Sequence, residues 1–321
     1  MDLDKKSELA TKPRHPIRVV AQRTGLSPDV LRAWEKRYGV VVPERSESGQ
    51  RLYTDVDVER LRLLKRATEA GRPIGRVARL ELEQLTSLVE EDEGARRRAE
   101  RSRLTVLEGA AAAAVTSALE SVRAMDGERL ERDLLRSAVH VGRGVFLDQV
   151  AAPLMKQVGD EWHAGLLGVA QEHLATATLH RAVSWLLGAT SGRERHLVVV
   201  ATPPGQRHEM GALLCAAVAV DEGWRVMYLG SDVPGGEIGR AAEEVSAALV
   251  ALSLLYPEAD EAAARALREI RTMVDARIPV VVGGAAASSY GPVLREIEAS
   301  HVPDLGQFRE YLRERSEAAL V

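Results

Sequence analysis

The 321-residue chain has one cysteine, Cys215. No disulfide can close within it, which fits a reducing compartment. Cys215 sits in the apolar run Gly211–Val220 and reads as a small core residue. No run of eighteen or more apolar residues occurs, and Met1 to Pro13 is polar. Neither a membrane span nor a secretory leader is expected, so the reading is a cytoplasmic protein with no membrane partner. Net positive charge is also lacking: 43 Lys/Arg face 47 Asp/Glu, a balance of −4. The deficit is uneven. Residues 14–79 hold 15 basic and 8 acidic residues, a net of +7, which leaves −11 on residues 80–321. A basic head on an acidic body points to a nucleic-acid footprint at one end only.

The head reads as short helices and a wing. Residues 16–24 form a helix stopped by Gly25. Ser27 is an N-cap, Pro28 a first helical residue and Asp29 a first-turn acid, so a second helix runs from Pro28 to Tyr38. Val30, Leu31 and Trp34 form its apolar face. Two helices joined by a Gly turn make a helix-turn-helix whose second helix enters the major groove. Pro43–Arg45 and Gly49–Tyr53 flank a loop and read as a hairpin wing. A third helix starts at Thr54 or Asp55, and a last one spans Arg76 to Val89. The candidate DNA contacts are Arg18, Arg32, Lys36, Arg37, Tyr38, Arg45, Arg51 and Tyr53, the last three reaching phosphates from the wing.

Leu31-Arg32-Ala33-Trp34-Glu35-Lys36-Arg37-Tyr38-Gly39, then Pro43, then Gly49-Gln50-Arg51-Leu52-Tyr53, resembles the winged-helix head of the MerR regulators. Double-stranded operator DNA is the partner that this resemblance implies.

The chain divides into an expected disordered arm over 1–14, the head over 15–82, a charged linker or solvated helix over 83–104, a four-helix bundle over 105–190 and an α/β domain over 191–321. The bundle holds Trp162-His163 and, nine residues beyond the tryptophan, Glu172-His173. The last part alternates strands and helices, which argues a doubly wound, Rossmann-like parallel sheet of about five strands. Its first strand, Leu197–Ala201, leads into Pro203-Pro204-Gly205-Gln206-Arg207-His208-Glu209-Met210-Gly211. A lone imidazole at the carboxyl end of a buried strand is a candidate axial metal ligand.

Gln206-x-His208-x-x-Gly211, Ser253-x-Leu255 and Gly283-Gly284 resemble the cobalamin-binding domain of methionine synthase and the cobalamin mutases. The resemblance implies that His208 ligates cobalt from below. It places the displaced nucleotide tail in a slot lined by Ser253, Gly283 and Gly284, with Gly211 and Leu255 also counted among the cofactor-binding residues. Gln206 stands where that family has an acid hydrogen-bonded to the imidazole. Ligation by His208 is expected to survive and to be weaker.

Head, bundle and α/β domain in this order are similar to the adenosylcobalamin-dependent photoreceptor repressors of the CarH type. That resemblance implies a non-enzymatic, light-responsive repressor in the nucleoid. It would bind DNA as a dark-state tetramer and be released as smaller species by light. Trp162 would cap the cofactor, Glu172 and His173 would hold the adenosyl group, and His163 would be an upper cobalt ligand after light. Arg207 and Asp232 are expected to pair across subunits. A cobalamin-level sensor stays open as an alternative, and a methyltransferase or mutase subunit as a weaker one.

Overall fold

The structure is a computed structural model and describes residues 12–188 and 196–318. It divides into two compact units, residues 1–104 and 105–321. Among the described residues, no helix is long and apolar enough to cross a membrane.

In the first unit, β1 (His15–Pro16) and β2 (Glu44–Arg45) pair antiparallel with β3 (Arg51–Tyr53), which lies between them. Residues 1–11 of the expected arm lie outside the described residues. Arg14 is held, because its N–H donates to Tyr53 O at 3.0 Å. Helix α1 (Ile17–Thr24) ends at Gly25, whose φ of 66° suits glycine. Helix α2 (Pro28–Tyr38) starts with Ser27 Oγ accepting from Val30 N–H at 3.2 Å and ends at Gly39. Helix α3 (Asp55–Glu69) opens with a reciprocal cap between Thr54 and Asp57. Val20, Leu31, Tyr53, Leu61, Leu64 and Leu85 are fully buried at the centre of the head.

The expected helix over 76–89 is not continuous. A short α4 (Ile74–Val77) precedes a break, and α5 restarts at Leu82 and runs to Arg123. Gln84 Oε1 accepts from Glu81 N–H at the restart. The charged run over 83–104 therefore belongs to a helix that continues into the first helix of the bundle. Glu, Arg and Ala are strong helix formers, and no proline interrupts them. Arg72 and Arg66 pair with Asp92 and Glu93 at 2.7 and 2.6 Å.

The second unit packs helices on a sheet. Its bundle comprises the end of α5, α6 (Gly127–Val141), α7 (Arg143–Phe146) running through a wider π turn (Leu147–Ala151) into α8 (Ala152–His163), and α9 (Val169–Gly188). The π turn has a local cause: Pro153 lacks the N–H that a regular turn would use. The strands are β4 (Leu197–Ala201), β5 (Arg225–Gly230), β6 (Leu249–Ser253), β7 (Val280–Gly283) and β8 (Ser300–His301). They are parallel, in the order β5-β4-β6-β7-β8. Val198 and Val200 face the bundle, α10 (Met210–Asp221) and α14 (Leu305–Ala318). Val199 and Ala201 face α11 (Gly235–Glu244), α12 (Glu261–Met273) and α13 (Gly291–Glu296). Apolar residues on both faces are what a doubly wound sheet requires.

One buried arginine ties these parts together. Arg309 on α14 pairs with Asp221 at 2.7 Å, with Asp148 in the π turn at 3.1 Å, and with Glu222. Glu222 also accepts from Arg313 at 2.7 Å. Burial pushes the Glu222 carboxyl up, but the hydrogen bonds from Arg313 and Arg309 outweigh it and leave the pKa lowered.

Candidate functional site

The chain enters the sheet at β4, goes outward to β5, then crosses back to β6. The crevice between β4 and β6 is thus a topological switch point, where open α/β sheets bind ligands. The loop after β4 carries Gln206, Arg207 and His208, and β6 ends at Ser253 with Leu255 just beyond it.

Gln206 is buried and spans this crevice. Its Oε1 accepts from the N–H groups of Leu255 at 2.8 Å and Tyr256 at 3.0 Å, and its Nε2 donates to Pro257 O at 3.0 Å. Gln206 is therefore not the hydrogen-bond partner of His208. The expectation that it tunes that imidazole is corrected, since both ends of its amide serve the loop after β6. His208 is exposed and makes no hydrogen bond to the described residues, so its ring nitrogens are available.

Beside these residues lies a cavity of ≈ 340 Å³. Gly211, Ser253, Leu255, Gly283 and Gly284 all line it, joined by Ala152 and Met155 from α8 and Phe308 from α14. A Cβ on Gly211 would lie 2.6 Å from Ser253 Oγ. On Gly283 it would meet Val302 O at 2.8 Å. Gly284 has a φ of +98°, where side chains are strained, and its Cβ would strike Leu254 O. These glycines do more than clear a channel, because they let backbone approach backbone at its wall. Burial pushes the Cys215 thiol, also in the wall, up to about 12. The narrow, mostly apolar slot fits a nucleotide tail, and the free imidazole of His208 fits a cobalt ligand.

The cap residues sit at the far end of α8 and the start of α9. Met155 and Trp162 are seven residues apart on α8, about 10 Å along its axis. One helix thus reaches from the slot to the cap motif. Trp162 is 41% exposed, with its ring 4.8 Å from that of His163. His163 Nδ1 lies 2.8 Å from Gly159 O. A carbonyl only accepts, so Nδ1 donates and Nε2 is the ring nitrogen that faces away from this bond. Glu172 accepts from Thr176 Oγ1 at 2.7 Å and contacts His173 Nδ1 at 2.5 Å. Arg123 pairs with Glu161 at 2.5 Å, and Gln171 Nε2 donates to Arg123 O, which fixes this corner.

Sequence reasoning missed a link between the two halves. His180 Nε2 on α9 lies 3.3 Å from Glu209 Oε1, and Tyr228 on β5 donates to Glu209 Oε2 at 2.9 Å. Burial and the Glu209 carboxylate both raise the Tyr228 pKa. Glu209 follows His208 directly, and that adjacency was the available signal. Arg207 Nε lies 4.0 Å from Asp232 Oδ2 in the same chain. Asp232 Oδ1 also accepts from Gly205 N–H at 2.8 Å. The two charges expected to pair across subunits thus lie beside each other within one chain, at the ends of the neighbouring strands β4 and β5.

In the head, Arg18, Lys36, Arg37 and Arg45 are exposed and form no ion pair among the described residues. Arg37 stacks on the half-buried Tyr38 ring at 5.5 Å. Arg32 pairs with Asp29 at 2.8 Å on the same exposed face. Two wing candidates differ from expectation. Tyr53 is fully buried and donates to Glu35, so it does not reach phosphate. Arg51 Nε is engaged by Glu35 at 3.0 Å. The alternation of the short β3 turns Tyr53 inward.

A basic winged head and a body with a glycine-walled cavity at the switch point of a parallel sheet are the features of a DNA-binding, ligand-binding regulator. Comparison with known proteins agrees. Residues 16–84 match the MerR HTH family regulatory protein model, and residues 114–187 and 196–302 match two B12 binding domain models. The chain is 37% identical to the HTH-type transcriptional repressor CarH of Myxococcus xanthus over 89% of this chain and 93% of the relative. It is 31% identical to the repressor CarA of the same organism, over 85% and 88%. It is 28% identical to methionine synthase of Mycobacterium tuberculosis over 51% of this chain and 14% of that protein. The chain belongs to the CarH and CarA family of MerR-type regulators with B12-binding domains. It is a regulator rather than an enzyme.

Proposed function

We propose that this chain is a light-responsive transcriptional repressor that holds adenosylcobalamin between bundle and sheet. One observation carries the reading. A single cavity is walled by the Gly211–Ser253 slot and by α8, and α8 ends at a histidine whose Nδ1 is held by Gly159 O. Gly211, Ser253, Gly283 and Gly284 would hold the tail. His208 would ligate cobalt from the sheet side, and His163 offers a second imidazole from the cap. Trp162 would cover the upper face, with Glu172 and His173 against the adenosyl group. When bound, this cofactor supplies a cobalt–carbon bond that green light breaks.

The chain's own part is a two-state cap. Trp162 and Leu166 are 41% and 72% exposed, so a group packed beneath them favours one cap position, and its loss favours another. In the head, Arg32 and Lys36, one turn apart on α2, would enter the major groove. Arg18, Arg37 and Arg45 would hold phosphates. A dark-state tetramer engaging repeated sites would bind by avidity, and its disassembly would free the operator with every base contact unchanged.

The test is an absorbance spectrum, a mass and an operator-binding titration of the adenosylcobalamin-loaded protein, in the dark and after green light. Joint light-driven changes in all three are expected. Cofactor binding with no response to light would make the chain a cobalamin-level sensor. Failure to bind cofactor would reject the assignment of His208.

A further inference from the structure

We infer that the tail slot selects corrinoids by the base they carry, admitting a benzimidazole and discriminating against a purine. The inference rests on the cobalamin reading above and concerns the walls of the same cavity. Those walls offer a base mainly hydrocarbon and sulfur: Met155 from the cap, Leu214 and Cys215 from α10, Val281 from β7 and Phe308 from α14. Three other polar side chains line the cavity. Lys156 is 76% exposed and bonded to Asp160 at 2.6 Å, so it belongs to the rim. Asp304 caps α14 by accepting from Gln307 N–H at 2.8 Å. Ser253 is buried, and its hydroxyl has no partner among the described residues. Cys215 is protonated at neutral pH and is a weak donor.

Among the described residues, Ser253 is therefore the one buried side chain of the slot that offers a strong hydrogen-bonding group to whatever enters it. A benzimidazole released from cobalt has one ring nitrogen that needs a donor, and a hydroxyl supplies it. The rest of that base is a carbocycle that suits an apolar wall. An adenine in the same slot brings an exocyclic amine and further ring nitrogens. Among the described residues the slot has no second buried side chain to pair them, and burying such groups unpaired is unfavourable even where shape allows entry. Specificity of this kind arises from groups left unpaired in the wrong ligand. Each unpaired polar edge is expected to weaken binding by about tenfold.

The experiment measures dissociation constants in the dark for three corrinoids: cobalamin, the adenine-tailed cobamide, and tail-less cobinamide. Binding is read from the quenching of tryptophan fluorescence on the full chain. Cobalamin binding at least tenfold tighter than the adenine-tailed form supports the inference. Equal affinities overturn it while leaving the cobalamin reading intact. Cobinamide matching cobalamin also overturns it, since the tail would then gain nothing from the slot. Failure of all three to bind overturns the cobalamin reading and this inference with it. Met155→Gln brings an amide into the wall from the cap side. The preference for cobalamin over the adenine-tailed form should then shrink several-fold, and an unchanged ratio in a folded variant would count against the wall as the selector.

Discussion

Gln206 Oε1 accepts the backbone N–H of Leu255 at 2.8 Å, which ties the loop after β4 to the loop after β6 across the crevice of the sheet. The other end of the same amide donates to Pro257 O. A carboxylate at this place would keep the two bonds to N–H groups but would face the Pro257 carbonyl with no proton to give. Gln206→Glu should therefore lower stability at neutral pH by about 1–3 kcal/mol. For a domain of this size that is a fall of about 2–4 °C in Tm per kcal/mol. Burial raises a carboxyl pKa, so protonation on acidification restores the donor. The deficit should shrink as pH falls from 7 toward 5 in thermal melts. A variant as stable as the parent at pH 7 would show that the Pro257 contact contributes nothing.

Gly211→Ala tests the close approach at the slot wall. Alanine favours a helix by about 1 kcal/mol over glycine. Here its Cβ would lie 2.6 Å from Ser253 Oγ, so the helix gain is opposed by a clash. The single variant should bind cobalamin at least tenfold more weakly. Adding Ser253→Ala removes the clashing oxygen and should recover the melting temperature. Equilibrium titration with cobalamin and thermal melts, run on both variants, separate the two effects.

Much of this arrangement was legible in the sequence, for physical reasons that also mark where legibility ends. Ser27 and Gly39 bound α2 because capping is local, and their neighbours in sequence are their partners in space. The loop holding His208 was recognisable because His208 and Gly211 lie within one turn of each other. The partners of Gln206 lie about fifty residues downstream, and nothing in its own neighbourhood announces them. The two-residue β1 is too short to carry an alternation, so its pairing with β3 was invisible. Tyr53 reads as a wing contact, and its place in the core goes with the pairing of β3 against β1, where it lies opposite His15. The break before Leu82 was missed because the residues around it are good helix formers.

The Arg309 cluster predicts an acid limit for the second unit. The Glu222 pKa is held below its ordinary 4.5, so the carboxylate stabilises the fold above that value. The contribution is lost as pH falls from about 4.5 through the lowered folded-state value. Arg309→Met leaves Asp221 and Glu222 with one fewer cation in a partly buried site. It should cost about 3–5 kcal/mol at pH 7. The gap between variant and parent should close in acid as these carboxylates take protons. Melts from pH 3 to pH 8 check this, and a gap independent of pH would assign the loss to packing instead.

Tyr53→Phe and Lys36→Ala separate a core role from a DNA role in the head. Tyr53 is fully buried, and its hydroxyl donates to Glu35, whose side chain is only 11% exposed. Removing that donor leaves a shielded carboxylate with Arg51 as its remaining partner, so Tyr53→Phe should destabilise the head by about 1–3 kcal/mol. At a temperature where the variant stays folded, its DNA affinity and salt dependence should match the parent, because no phosphate contact has been removed. Lys36 is exposed on α2 with no ion pair among the described residues, so its removal should leave the melt unchanged. Each neutralised phosphate contributes close to one unit to the slope of log affinity against log salt. Lys36→Ala should therefore reduce that slope by about one per bound head and weaken binding across sequences alike. A changed salt slope in Tyr53→Phe would return that tyrosine to the DNA interface, whereas an unchanged slope in Lys36→Ala would remove the lysine from it.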